Sequence, residues 1–253
     1  MAEAKTCTAA FLIIGNEILS GRTTDANLPF VAGRLNEMGI RLSEARVVPD
    51  MEQEIVAALN VLRARYDYVF TSGGIGPTHD DITAESVAKA FGLPLTEHPE
   101  ARRRLEARYA ETGIELNEAR LRMARTPEGA ALIDNPVSGA PGFQVENVFV
   151  MAGVPKIMHA MFESLRDRLV GGAPLLSRSI SCRLPEGQLA QGLGEIQARF
   201  PDVDIGSYPS YSAGGFGVAV VLRHTEQAQL DAAGGEVAAL IRELGGEPVE
   251  QEK

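Results

Sequence analysis

Asp80 and Asp81 are adjacent carboxylates that follow three glycines, Gly73, Gly74 and Gly76, in the stretch TSGGIGPTHDDIT (71–83). Glycines between a buried strand and a helix let backbone N–H groups approach an anion closely, and a helix N-terminus adds a favourable dipole. Two carboxylates beside such a cradle suit a divalent cation, since Mg²⁺ is commonly held by one or two carboxylates plus substrate phosphates. The three glycines are therefore candidates for phosphate, and Asp80 and Asp81 for the metal. Ser72, Thr78 and Thr83 add hydroxyls to the same loop. A methyl group at Gly74 is expected to occupy the anion's own space. The plainer alternative is a tight turn in which Asp80 or Asp81 caps a helix. A cap accounts for one carboxylate and one glycine, and leaves GGIGPT, the second aspartate and Thr83 without a role. The loop lacks the GK[ST] of a Walker motif and does not match GxGxxG.

A second cluster, GNEILSGRTTDAN (15–27), offers Glu17, Ser20, Thr24, Asp25 and Asn27. Its alternative is a hydrophilic connection ending in a helix cap. Glu17 is the candidate base or metal partner, and a base must come within about 3 Å of its proton or reach it through water. His79 reads as a turn residue, and His98, His159 and His224 are scattered, so zinc spacing is missing. No GxSxG elbow occurs.

Positioning these groups needs a sheet. TAAFLIIG (8–15) is a continuous apolar run consistent with a strand buried on both faces. DANLPFVAGRLNEMG (25–39) has helical spacing, with Asp25 as cap, Pro29 in the first turn and Gly39 as stop. RLSEARVVP and DYVFTS read as further strands, MEQEIVAALNVLRARY and DITAESVAKAFG as helices. The alternation implies a mostly parallel sheet covered by helices on both faces. In such a sheet the loops after the first and third strands open on one carboxyl edge, where ligands bind. Residues 99–125 read as two charged helices, 127–153 as short strands and turns, and 154–169 as another helix.

The Gly/Pro cluster VGGAPLLS marks a boundary, giving expected domains 1–170 and 171–253. The second reads as a βαββα unit, a small α+β domain with a frayed tail, GGEPVEQEK.

The chain has 253 residues and a net charge of −10. Six basic and eleven acidic residues after 170 leave 18 and 23 before it, so each part carries −5. Neither has the basic excess of a general nucleic-acid binder. No apolar run approaches the ~20 residues of a membrane span, and the N-terminus lacks a signal-peptide layout. Cys7 and Cys182 lie far apart and read as small buried thiols. A cytoplasmic protein with no nucleic-acid or membrane partner is expected.

The strings IIGNEILSGRTTDANLPFVAGRL, TSGGIGPTHDDIT, PEGA, NPVSGAPGF and AGVPKIMHAMF occur in that order. Together they resemble the molybdopterin-binding family, in particular the N-terminal region of its CinA-like (competence/damage-inducible) members. The likeness covers residues 8 to about 170, and the βαββα segment resembles the family's smaller KH-like domain. It implies a three-layer α/β/α domain, a homo-oligomer, and a pocket at the glycine loop for a small nucleotide or pterin ligand such as molybdopterin. It also implies metal-dependent hydrolysis of ADP-ribose-type nucleoside diphosphate sugars, with Asp81 and Glu17 catalytic and Mg²⁺ or a similar divalent ion as cofactor. The alternatives are an adenylyl transfer to molybdopterin and a non-catalytic ligand sensor. Longer CinA-like members continue into a deamidase domain, whose activity is not expected here. Asn27 and Arg122, which matches a basic residue before the PEGA turn, are implied ligand residues. Ala152 replaces a usual proline. Ser138 and Gly139 stand where Gly and Thr are usual, so a hydroxyl is kept but shifted to Ser138. The KH-like segment lacks GxxG, since Gly192 and Gly194 are one residue apart and Glu195 follows. It reads as a packing or subunit-contact element.

Overall fold

The computed structural model describes residues 7–212 and 215–251. The chain divides into two compact units, Met1–Gly172 and Ala173–Lys253.

In the first unit the order is β1 (Cys7–Ile14), α1 (Asn16–Leu19), α2 (Asn27–Glu37), β2 (Ile40–Val48), α3 (Glu52–Arg65), β3 (Tyr68–Ser72) and α4 (Thr83–Phe91). Then come β4 (Leu95–Glu97), α5 (Pro99–Thr112), α6 (Glu118–Leu121), β5 (Arg125–Pro127), β6 (Ala131–Ile133), β7 (Gly142–Val145), β8 (Val148–Met151) and α7 (Pro155–Leu165). The main sheet runs β2-β1-β3-β8-β7-β6. Its first four strands are parallel, and β7 and β6 add an antiparallel margin. This is the mostly parallel three-layer α/β/α architecture.

Strand periodicity of two explains why β1 is apolar throughout. Ala10, Leu12 and Ile14 enter the core beneath α3 and α4, with Ile55, Leu59, Leu62 and Val87. Ala9, Phe11 and Ile13 enter the opposite core, with Val31 and Leu35 of α2 and Met158, Met161 and Phe162 of α7. Both faces are therefore dry, and each fully buried Leu, Ile or Phe contributes roughly 1.5–3 kcal/mol. Helix α2 begins two residues later than Asp25, yet the Asp25 carboxylate still accepts the Leu28 N–H at 2.8 Å. Gly39, at φ 68°, ends that helix's turn as its type requires.

The edge strand β2 is tied to the end of α3. Glu44 accepts from the Tyr66 hydroxyl at 2.6 Å and from Arg46 Nε at 2.6 Å. These bonds hold the Glu44 carboxyl below its ordinary value, Tyr66 being the larger cause.

The second unit contains β9 (Leu176–Cys182), α8 (Glu186–Arg199), β10 (Asp204–Ser212), β11 (Gly215–His224), α9 (Gln227–Glu243) and β12 (Val249–Gln251). Its antiparallel sheet runs β10-β11-β9-β12, a small α+β domain with both helices packed on one core. The tail differs from expectation: residues 249–251 pair with β9 instead of fraying. The reason is local, because residues 249–251 form an antiparallel ladder along β9 and Arg178 reaches Glu250 at 2.5 Å. At the other margin, the Ile205 N–H is taken by Gln197 Oε1 at 3.2 Å, and Pro209, four residues on and so on the same side, has no N–H to offer. Gly192 of α8 packs directly against Leu240 of α9, where a Cβ would lie 2.5 Å from a leucine methyl. Cys182 is buried and Cys7 partly so. Among the described residues no helix is long and apolar enough to cross a membrane.

Candidate functional site

Three loops leave the carboxyl ends of β1, β3 and β8 side by side and enclose a cavity of about 500 Å³. That size falls in the range of small-molecule sites. Glu17 and Thr23 come from the β1 loop, Gly73 to Pro77 and Asp81 from the β3 loop, and Ala152 to Pro155 from the β8 loop. Asn135, Ser138 and Ala140, between β6 and β7, complete the wall with Met123.

The β3 loop is shaped by close backbone approaches. Gly73 has φ 105°, and a Cβ there would lie 2.1 Å from the Ile14 carbonyl oxygen. Its N–H donates to the Met151 carbonyl at 3.1 Å, so the turn is bolted to both neighbouring strands. Gly74 has φ 66°, and its Cβ would lie 2.2 Å from Thr83 Oγ1. The methyl expected to enter the anion's space would instead strike Thr83. The correction follows from handedness: at this positive φ the added carbon turns into the scaffold. Thr83 is fully buried, donates its hydroxyl to the Gly73 carbonyl at 3.0 Å, and donates its N–H to the Gly74 carbonyl at 2.9 Å. It is a strut beneath the loop. Above it, the N–H groups of Gly74, Ile75 and Gly76 make no hydrogen bond among the described residues. Three free donors on a positive-φ turn are the groups that an anion-binding nest requires.

Asp81 lines the cavity and does not cap α4, whose N-cap is Ile82. One oxygen, Oδ2, accepts from the Thr78 N–H at 2.8 Å and the Thr78 hydroxyl at 2.5 Å, which leaves Oδ1 uncommitted. Gly76 keeps room for this carboxylate, since a Cβ would lie 2.7 Å from it. Asp80 is exposed and outside the cavity lining. Glu17 folds back over Gly15, where both carboxylate oxygens would be within 2.6 Å of a Cβ. Glu17 and Asp81, 64 residues apart in the chain, thus face one space.

The remaining candidates surround it. Arg122 donates to the Thr78 carbonyl at 3.1 Å and the Asp81 carbonyl at 3.4 Å, and it lies 3.5 Å from Glu85, so it braces the loop from outside. Asn27, 3% exposed, donates to the Gly153 carbonyl at 2.8 Å and ties α2 to the β8 loop. Ser72 is buried with its hydroxyl unpartnered. Ser138 lines the cavity, as do Gly73, Gly74 and Gly76. Sequence reasoning passed over Thr23, Met123, Asn135 and Ile157. Only Asn135 carried a signal, as the Asn of an Asn-Pro turn opening NPVSGAPGF.

Among the described residues no Lys or Arg lines this cavity, while two carboxylates do. A phosphate beside these N–H groups would meet Glu17 and Asp81 in this cavity, while Arg122 and Arg125 line the adjoining pocket that Gly74, Gly76 and Asp81 share. Among the described residues no group of three or more His, Cys, Asp or Glu comes together. Mg²⁺ needs no more than one or two protein carboxylates when waters and phosphate oxygens complete its shell. Glu17 and Asp81, with Oδ1 uncommitted, fit that donor set.

Residues 10–170 match the family model described as a probable molybdopterin binding domain. The chain belongs to the molybdopterin-binding domain family. A second model, the middle domain of FAD synthase, matches residues 174–248. A Pyrobaculum calidifontis protein is 35% identical over 211 residues, covering 80% of each chain. One from Aeropyrum pernix is 36% identical over 214 residues, 81% of this chain and 80% of its own. Among solved structures, the protein CinA from Thermoplasma acidophilum, of unknown function, is 35% identical with a TM-score of 0.60, covering 65% of this chain and 99% of its own. Within this molybdopterin-binding domain, the glycine loop, Asp81 and Ala152 all line the cavity.

Proposed function

We propose that the chain binds a nucleotide pyrophosphate of the ADP-ribose type in this cavity and hydrolyses it with a divalent cation. One observation carries the reading: two carboxylates on separate loops, Glu17 and Asp81, border the same cavity as three free backbone N–H groups. The N–H groups of Gly74, Ile75 and Gly76 would hold phosphate oxygens. Asp81 and Glu17 would hold the cation, which screens the phosphate charge and polarises the phosphoryl group. Glu17 would also accept a proton from water. The water oxygen bonds to one phosphorus, the bond from that phosphorus to the bridging oxygen breaks, and the electron pair leaves with the second phosphate. The products are AMP and ribose 5-phosphate, and Glu17 releases its proton to solvent. The match of residues 174–248 to a domain of FAD synthase also supports a nucleotide ligand.

The family match favours a second reading, adenylyl transfer to molybdopterin through the same apparatus. Incubation with ADP-ribose and Mg²⁺, then separately with molybdopterin and ATP, distinguishes them. AMP with ribose 5-phosphate supports hydrolysis, and an adenylylated pterin supports transfer. Ligand-dependent stabilisation without turnover in either mixture points to a binding protein and overturns both.

A further inference from the structure

Asn135 is 7% exposed and uses its whole carboxamide. Its Oδ1 accepts the N–H groups of Val137 at 3.1 Å and Ser138 at 3.0 Å. Its Nδ2 donates to the Ala140 carbonyl at 2.7 Å and to Ser138 Oγ at 2.6 Å. Two backbone donors face one end and a carbonyl faces the other, so the amide has a single orientation; flipping it would set donor against donor. That orientation decides the state of Ser138. Its oxygen is already an acceptor, and among the described residues its hydroxyl donates no hydrogen bond. Ser138 borders the cavity.

Part of the cavity lining is apolar. Met123, Ala140, Val154 and Ile157 line it, and Val154 is left 57% exposed. Apolar lining with one available hydroxyl donor is suited to a heteroaromatic ring that presents a lone pair at its edge. The phosphate nest belongs to a different loop, Gly73 to Gly76.

We infer that Ser138 is a specificity-determining donor, whose hydroxyl proton, aimed by Asn135, reads a hydrogen-bond acceptor on the edge of the ligand's ring. The inference rests on the nucleotide reading above and adds to it the residue that recognises the base. A site built around a donor discriminates against rings lacking the acceptor, because the polar group is then left buried and unpaired.

The test measures binding of AMP and of 1-deaza-, 3-deaza- and 7-deaza-AMP to the parent and to Ser138→Ala and Ser138→Thr. Each deaza analogue removes one ring acceptor. Ser138→Ala should weaken AMP about 3- to 10-fold, and Ser138→Thr, which keeps the hydroxyl, should restore most of that loss. One deaza analogue should bind the parent as weakly as AMP binds Ser138→Ala, with no further loss when the two changes are combined. Inorganic pyrophosphate should bind parent and Ser138→Ala alike. Losses that add for all three analogues, or an equal loss for pyrophosphate, would overturn the inference. Neopterin, as a free pterin, separates its failure from that of the nucleotide reading. Should the parent bind neopterin but not AMP, the ADP-ribose reading falls, and Ser138 stands only if Ser138→Ala weakens neopterin and Ser138→Thr restores it. If the parent binds neither, both fall.

Discussion

The Thr83 side chain and the Gly73 carbonyl are joined by a fully buried hydrogen bond of 3.0 Å that fixes the glycine turn from below. The same residue's N–H holds the Gly74 carbonyl at 2.9 Å, so one threonine secures two consecutive peptides. Thr83→Val keeps the shape but removes the donor and leaves the Gly73 carbonyl without that partner. A loss of about 1–3 kcal/mol is expected. For a chain of this size, that is a fall of about 2–4 °C in melting temperature per kcal/mol. Thermal melts without ligand check this, with Thr83→Ser near the parent.

Gly74→Ala should destabilise by more than the ~1 kcal/mol of left-handed strain, because its methyl would lie 2.2 Å from the Thr83 hydroxyl. Introduced into Thr83→Ala, the same change should cost less than in the parent. Equal costs in both backgrounds would show that the two residues do not collide.

Asp81→Asn preserves an oxygen for the Thr78 donors while removing the charge that faces the cavity. Folding should survive, and metal-dependent turnover of ADP-ribose should fall by about 10²–10³, the usual effect of deleting an electrostatic group at such a site. Glu17→Gln should reduce turnover similarly. A steady-state assay across Mg²⁺ concentrations reads both, and unchanged turnover in Asp81→Asn would reduce Asp81 to a brace for its loop.

The Glu44 carboxyl lies below its ordinary value of 4.5 mainly because Tyr66 donates to it. A group whose folded value is depressed lends stability above its unfolded value, and this is lost as pH falls through the folded one. In Tyr66→Phe the Glu44 midpoint, followed by NMR, should move up towards 4.5. The parent's advantage in melting temperature over Tyr66→Phe should be full at pH 7 and shrink as the pH drops below about 4.5.

Much of the main domain was legible because its signals are periodic. The apolar run of β1 fits a strand covered on both faces, and parallel connection alone places the loops of Glu17 and Asp81 on one edge. Other features carried no such signal. The pairing of Val249–Gln251 depends on an open side of β9, far off in sequence. The direction of a Gly74 methyl depends on a single dihedral angle, and the fixed orientation of Asn135 on four bonds within a non-repeating turn. Thr83 was visible as a polar residue, but whether it faces ligand or scaffold is decided by burial.

The small sheet is partly covered at both margins, by Gln197 and Pro209 beside β10 and by residues 249–251 beside β9. The two closures differ in how easily they come undone. The first is built into the middle of the chain, whereas the second is three residues held by a short ladder and one ion pair. Proteolytic clipping behind Pro248 is therefore expected to make the protein self-associate, with residues 179–181 of β9 as the landing place of an added β-strand peptide.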